Sequence, residues 1–266
     1  MNEHKPNRWK LFLEEVLLFA LEVMAIFLSI NAGVWESDLS QREGVYLEYE
    51  IDQEEKDKTK EKIIYLTFDD GPGEYTEQLL DILDHYDVKV TFFVTNQEPE
   101  YQDLIGEAYR RGHTIGLHSY SHDYGIYRCQ EAYYEDLQLI YNLCKEQTGD
   151  PSRIIRFPGG SSNGVSQQYC YGIMTALSKS VEEYGFVYCD WNVSSGDMEN
   201  AVTTDAVARN VIAGIREKDV AVVLQHDTLD YSVEAVSQII CWGQANGYTF
   251  LPLTESSPMV HHTVKN

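Results

Sequence analysis

Two adjacent carboxylates, Asp69 and Asp70, end an apolar run, Ile63-Ile64-Tyr65-Leu66-Thr67-Phe68, and are followed at once by Gly71-Pro72. Six residues rich in β-branched and aromatic types, stopped by Gly-Pro, predict a buried strand ending in a tight turn. Side chains alternate along a strand, so the two carboxylates face different ways and divide their roles. Like charges this close repel, and both stay ionised only beside a cation or an arginine. Asp-Asp-Gly-Pro also suits a solvated turn. Further on, His118-Ser119-Tyr120-Ser121-His122 sets two imidazoles four residues apart. On a helical turn such positions share a face, and both can reach one metal ion. Two histidines and one carboxylate leave coordination positions open for water and substrate, as a catalytic metal centre requires. No Glu follows His118, so a general base comes from elsewhere. Asp69 is the free carboxylate beside Asp70, and Arg156 is a cation able to hold it ionised.

Strand and helix patterns alternate around these residues. Strands are expected at 63–68, 88–94, 113–118, 153–157, 186–191, 220–226 and 249–253. Helices are expected at 76–86, 99–111, 131–147, 167–184, 204–216 and 233–245. Seven β/α units in about 190 residues predict a parallel sheet, either a barrel or doubly wound. Asp69-Asp70, His118, Arg156, Asp190-Trp191 and His226 all fall at C-terminal strand ends. In (β/α) barrels the active site is assembled there from several strands at once, which favours a barrel.

The 266 residues suffice for one sizeable domain, and a net charge of −23 argues against a broad basic face for nucleic acid or anionic lipid. Nineteen Tyr and four Trp suit a sugar-binding cleft or an ordinary core. Five cysteines without a CxxC pair make a zinc knuckle unlikely, and the odd count leaves at least one thiol unpaired in a monomer. Residues 16–34 are nearly all apolar, after basic Lys5, Arg8 and Lys10 and before acidic Glu36 and Asp38. Nineteen helical residues span roughly 28 Å, about a bilayer core. Residues 1–35 are therefore expected to form a cytoplasmic tail and membrane-anchor helix, with the rest extracellular. Glu22 opposes this reading, and an amphipathic helix packed on a soluble protein is its alternative. Residues 36–60 form a charged linker, residues 61–255 the catalytic domain, and the tail at 256–266, with His261-His262, is expected to lie on the surface.

In chain order, Thr67-Phe68-Asp69-Asp70-Gly71-Pro72, His118-Ser-x-x-His122, Arg156-Phe157-Pro158-Gly159-Gly160, Trp191 to Asp197, and Leu224-Gln225-His226 resemble the five motifs of the polysaccharide deacetylases (carbohydrate esterase family 4). The resemblance spans residues 61 to about 253. It implies a distorted (β/α) barrel of about seven parallel strands and metal-dependent removal of N-acetyl groups from polymers containing N-acetylglucosamine, usually peptidoglycan or chitin. A membrane anchor favours the cell wall and hence peptidoglycan.

Position by position, the resemblance implies that Asp69 is the general base, that Asp70, His118 and His122 hold the metal, and that Arg156 orients the base. His226 matches the catalytic acid and Asp197 its carboxylate partner, with Asp190 as the alternative. Pro158, Gly159, Trp191 and Leu224 match substrate-binding positions. Gly159 falls where the family often has a Tyr whose backbone N–H helps bind the oxyanion, and Met198 stands where a Trp is common. Zinc is the default metal, with cobalt, nickel or manganese compatible. The expected partner is a glycan polymer, and a monomer is expected. The other readings are a deacetylase of chitin oligomers or another N-acyl sugar, and a catalytically silent glycan-binding protein. A phosphotransferase of the haloacid dehalogenase type would need Asp-x-Asp, which this motif is not.

Overall fold

The strand that carries the two carboxylates, β1 (Lys62–Asp69), is buried from Ile64 to Asp69. A strand covered on both faces needs such a run, because helices pack on one side of a parallel sheet and other strands close over the other. The computed structural model describes residues 61–266. The expected anchor helix (1–35) and linker (36–60) lie outside the described residues. Among the described residues no helix is long and apolar enough to cross a membrane.

Seven further strands and six α-helices follow β1. They are α1 (Thr76–His85), β2 (Thr91–Val94), α2 (Asp103–Arg110), β3 (Thr114–Leu117), α3 (Gln130–Thr148), β4 (Ile154–Ile155), α4 (Ile173–Glu183), β5 (Val187–Tyr188), β6 (Val193–Ser194), α5 (Thr204–Ile215), β7 (Val220–His226), α6 (Asp230–Ala245) and β8 (Tyr248–Phe250). The eight strands run in the order β5-β4-β3-β2-β1-β7-β6, with β8 also on β1, and every pairing is parallel. One flank of β1 is shared: its start pairs with β8 and its end with β2. The outermost strands, β5 and β6, are separated by four residues. Five Cα steps of ~3.8 Å keep those ends within about 19 Å, so the sheet curls into a barrel that stays open at one seam. The register sets Asp69 opposite His226, which places both at one rim.

Alternation along β1 divides the core. Ile64, Leu66 and Phe68 belong to the large cluster shared with the helices. Tyr65 belongs to a smaller one with Phe93, Ile154, Cys189, Val222 and Leu253. Thr67 and Asp69 share Tyr65's parity, so they point into the barrel with it.

The structure departs from the expected elements in several places. Among the described residues there are eight strands rather than seven, because the expected strand at 186–191 shortens to β5 and a further short strand, β6, follows it at Val193–Ser194. The expected helix at 99–111 is a 3₁₀ turn, Pro99–Tyr101, followed by α2. The helix expected from 167 begins only at Ile173, because Gly172 has φ 79 and a left-handed residue cannot continue a helix. The tail is not a free surface segment. His261 stacks on Tyr188 with ring centres 3.9 Å apart, and Asn266 is buried against the start of α4. All five cysteines are free thiols.

Candidate metal centre and active site

Past β1 the backbone turns abruptly. Asp70 has φ 73, a left-handed value that Asp tolerates better than most residues, and the Gly71–Pro72 bond is cis. The turn is fastened to β2: Thr95 N–H donates to the Gly71 carbonyl (2.7 Å) and Thr95 Oγ1 to the Asp70 carbonyl (2.8 Å). It also presses on the tip of β7. A Cβ at Gly71 would lie 2.2 Å from the Asp227 carboxylate, so glycine is required there. Asp227 accepts from Thr76 Oγ1 at 2.5 Å, and burial raises its pKa to about 7. The turn separates the paired carboxylates, as alternation demands. Asp69 points inward and Asp70 toward the histidines.

Asp70 Oδ1 lies 3.3 Å from His118 Nε2 and 3.2 Å from His122 Nε2. The donor atoms of these three residues all fall within 4.8 Å of one another. Asp70 Oδ1 is buried without a hydrogen-bond partner among the described residues. A buried carboxylate oxygen left in this way, facing two imidazole nitrogens, fits a divalent cation. His118 Nδ1 is engaged by the Arg156 carbonyl at 2.6 Å, which leaves Nε2 as the free end, the usual arrangement behind a metal-ligating histidine.

The two histidines do not share a helical face, contrary to the expectation from their spacing. Residues 118–123 form an irregular loop in which His122 has φ 51. Asp136 on α3 shapes it. Its carboxylate accepts from Ser119 Oγ (2.7 Å), Tyr120 N–H (2.8 Å), Ser121 N–H (3.0 Å) and Ser121 Oγ (2.7 Å). Ser119 Oγ in turn accepts from His122 N–H at 2.9 Å. Asp136 was not legible as a site residue. The only sequence hint is a pair of serines between the histidines, which need an acceptor.

Arg156 is fully buried inside the barrel. Its Nη1 donates to Asp69 Oδ1 (2.8 Å) and Thr67 Oγ1 (2.6 Å), Nε to the Cys189 carbonyl (2.8 Å) and Nη2 to the Asp190 carbonyl (2.9 Å). Its guanidinium lies 4.1 Å from the Phe93 ring centre. Asp69 is thus paired and aimed, with Oδ2 3.9 Å from His118 Nε2.

On the other side His226 Nε2 lies 3.7 Å from Asp70 Oδ2. Its Nδ1 is 2.9 Å from Asp197 Oδ1. Asp197 Oδ2 accepts from His226 N–H (2.8 Å) and Ser232 Oγ (2.7 Å). Burial opposes charge on His226, but the Asp197 hydrogen bond and charge outweigh it and raise its pKa to about 9. Asp197 is lowered by the same pairing against the effect of burial. Burial likewise opposes ionisation of Asp70, yet His118 and the other nearby imidazoles hold it well below the usual carboxylate range. Burial lowers His122, so it stays neutral, as a ligand must.

Of the two carboxylates open as partners for His226, Asp197 is the one in contact. Asp190 accepts instead from Ser161 N–H (2.8 Å), Ser161 Oγ (2.5 Å) and His262 N–H (2.8 Å), and so ties the loop after Arg156 to the tail. Trp191 packs beside Gly160, where a Cβ would meet its ring at 2.9 Å, and edge-on to His262. Pro158 is buried, and its carbonyl accepts from Tyr127 Oη at 3.0 Å. Gly159 is exposed at φ 74, and its N–H has no acceptor among the described residues. Leu224 is half-buried on β7, two residues before His226 and on the same face.

This chain is a member of the polysaccharide deacetylase family, hydrolases of non-peptide carbon–nitrogen bonds. The sequence profile of that family, polysaccharide deacetylase, matches residues 56–171. A Bacillus cereus peptidoglycan-N-acetylglucosamine deacetylase is 32% identical over 260 residues, 91% of this chain and 92% of the relative. The crystal structure of the catalytic domain of peptidoglycan N-acetylglucosamine deacetylase from Eubacterium rectale is 59% identical, with a TM-score of 0.76, covering 77% of this chain and 94% of that one. The polysaccharide deacetylase Bc1974 from Bacillus cereus superposes with a TM-score of 0.66 at 31% identity, covering 75% of this chain and 96% of that one.

Proposed function

We propose that this protein removes N-acetyl groups from N-acetylglucosamine residues of peptidoglycan, using a divalent cation held by Asp70, His118 and His122. The observation that carries the reading is the unpartnered Asp70 oxygen between two imidazoles, flanked by a carboxylate paired with arginine and a histidine paired with carboxylate. The named activities of the Bacillus and Eubacterium relatives support the choice of substrate. Zinc suits the ligand set, and cobalt, nickel and manganese are compatible with it. When bound, the cation supplies Lewis acidity to the acetyl carbonyl and to a water beside it.

The chain's own residues do the rest. Asp69, held in place by its 2.8 Å pairing with Arg156, takes a proton from the attacking water. The unengaged Gly159 N–H donates to the oxygen on which negative charge develops. His226, charged below about pH 9 because of Asp197, gives its Nε2 proton to the leaving sugar nitrogen as the C–N bond breaks. Water and an N-acetyl sugar become acetate and a free amino sugar.

We further propose that a monomeric catalytic domain is tethered outside the cell by residues 1–35, on the basis of their apolar run and flanking charges. Fractionation of cells making the full chain tests that placement. The function is tested by acetate release from peptidoglycan and from N-acetylglucosamine oligomers side by side. Faster release from peptidoglycan is expected. Preference for free oligomers would assign a chitin-type substrate, and binding to glycan without release from either would make the protein a silent glycan binder.

A further inference from the structure

The loop after Arg156 lacks a side chain where the family often carries a tyrosine, and the structure shows what stands there instead. A Cβ built on Gly159 would lie 2.7 Å from Tyr124 Oη and 3.5 Å from Tyr124 Cε1. Tyr124 therefore occupies the space into which a side chain at 159 would grow. It reaches that space from a different segment, the 3₁₀ turn Tyr124–Arg128 that follows His122.

That turn is held firmly. Asp123 caps it by accepting from Gly125 N–H at 2.7 Å. Tyr127, fully buried, donates to the Pro158 carbonyl at 3.0 Å and so joins the turn to the 156–160 loop. The Tyr124 ring stands edge-on to His122, with centroids 6.0 Å apart and planes at 81°, and 6.0 Å from the Tyr127 ring. The ring is half-buried beside His122, packed in part against the core and in part open to solvent.

Its hydroxyl is also available. Tyr124 Oη makes no hydrogen bond among the described residues, and neither does the Gly159 N–H. Cβ and N of one residue are about 2.5 Å apart, so the hydroxyl and that N–H lie within about 5 Å of each other. Two donors this close, both unengaged, suit one ligand rich in oxygen acceptors. An amide-bearing sugar is such a ligand, and an aromatic face suits the apolar face of its ring.

Resting on the deacetylase reading, we propose that Tyr124 is a specificity-determining residue of this site. Its ring forms the wall of the sugar subsite, and its hydroxyl hydrogen-bonds the N-acetylated sugar next to the Gly159 N–H. The wall is thus supplied by the loop after the second histidine and not by the loop after Arg156, where residue 159 has no side chain.

The test uses Tyr124→Ala and Tyr124→Phe in the full chain. Each is measured for kcat and KM on an N-acetylglucosamine tetramer, for hydrolysis of 4-nitrophenyl acetate, for bound zinc, and for tetramer affinity by calorimetry. Removing ring and hydroxyl should raise KM and weaken tetramer binding about 10- to 100-fold, while Tyr124→Phe, which keeps the wall, costs about 2- to 10-fold, the range of one neutral hydrogen bond. Hydrolysis of the small ester, which has no sugar, and zinc content should stay within about twofold of wild type. Unchanged KM and affinity in both variants would overturn the proposal. So would a parallel fall in ester hydrolysis or zinc, because Tyr124 would then only prop His122. Wild-type protein that releases no acetate from the tetramer would remove the deacetylase reading instead, and the calorimetric arm would still decide whether Tyr124 contacts sugar.

Discussion

Replacing Asp197 by Asn isolates the part of the site that keeps His226 charged. Asparagine preserves the shape and can accept from His226 N–H and Ser232 Oγ, as Asp197 Oδ2 does. The atom beside Nδ1 then becomes an amide N–H, which stabilises neutral imidazole in place of imidazolium. His226 has a pKa of about 9 with the carboxylate, against an ordinary value of 6.5. At pH 8 the first is about 90% protonated and the second about 3%, a roughly 30-fold loss of the acid form. The assay is kcat for acetate release between pH 6 and 10 on enzyme loaded with zinc. Wild type should hold its rate up to an alkaline limb near pH 9, and the variant's limb should move down toward neutrality. Charge on the bound cation offsets the Asp70 contribution in both proteins, so the difference between them reports Asp197. Stability follows the same linkage. A raised histidine pKa stabilises the fold fully below pH 6.5, and that stabilisation is lost as pH rises through about 9. The pKa difference corresponds to about 3 kcal/mol below pH 6.5 and about 2.5 kcal/mol at neutral pH, so the stability gap between wild type and variant should be widest below pH 6.5 and close at alkaline pH. Identical alkaline limbs in the two proteins would refute the assignment of Asp197 and His226 as an acid pair.

Other positions give sharp expectations. Arg156→Met leaves the buried Asp69 carboxylate without its cation and should cost about 3–5 kcal/mol in urea unfolding, whereas a further Asp69→Asn change should recover part of that loss. Asp136→Ala removes the acceptor that shapes the 118–123 loop without touching a ligand; zinc affinity measured by competition with a chelator should fall about 10- to 100-fold while the domain stays folded. Gly71→Ala drives a methyl group into the Asp227 carboxylate and should lower the melting temperature, with turnover lost because Asp70 and the tip of β7 must move apart.

Much of this was legible because it is local. The run from Ile63 to Phe68 closed by Gly-Pro announces β1, and the polar tips Asp69-Asp70, His118, Arg156 and His226 are visible wherever an apolar strand stops. What escaped was settled over long sequence distances. β6 is two residues long and exists only because Val193 and Ser194 pair with β7. The histidine loop looks helical by spacing, yet its shape comes from Asp136, which no nearby pattern marks. Asp190 and Asp197 are both carboxylates near one strand end. Only the fold directs Asp197 to His226 and commits Asp190 to Ser161 and to His262, 72 residues away. The tail shows no motif because its partners are the Tyr188 ring and the Asp190 carboxylate, both supplied by distant strand ends. Tyr124 carries no local signal for a related reason, since its place beside residue 159 depends on the glycine there and not on its own neighbours in sequence.

The central claim is that Asp70, His118 and His122 hold the cation while Asp69 works beside it without binding it. The most direct measurement compares wild type, Asp70→Asn and Asp69→Asn for bound zinc and for acetate release from peptidoglycan, after chelation and after adding zinc back. The account predicts that chelation abolishes release and zinc restores it in wild type, that Asp70→Asn loses both metal and turnover, and that Asp69→Asn keeps stoichiometric zinc with turnover lost. Release that survives chelation, or full turnover in Asp69→Asn, would contradict it.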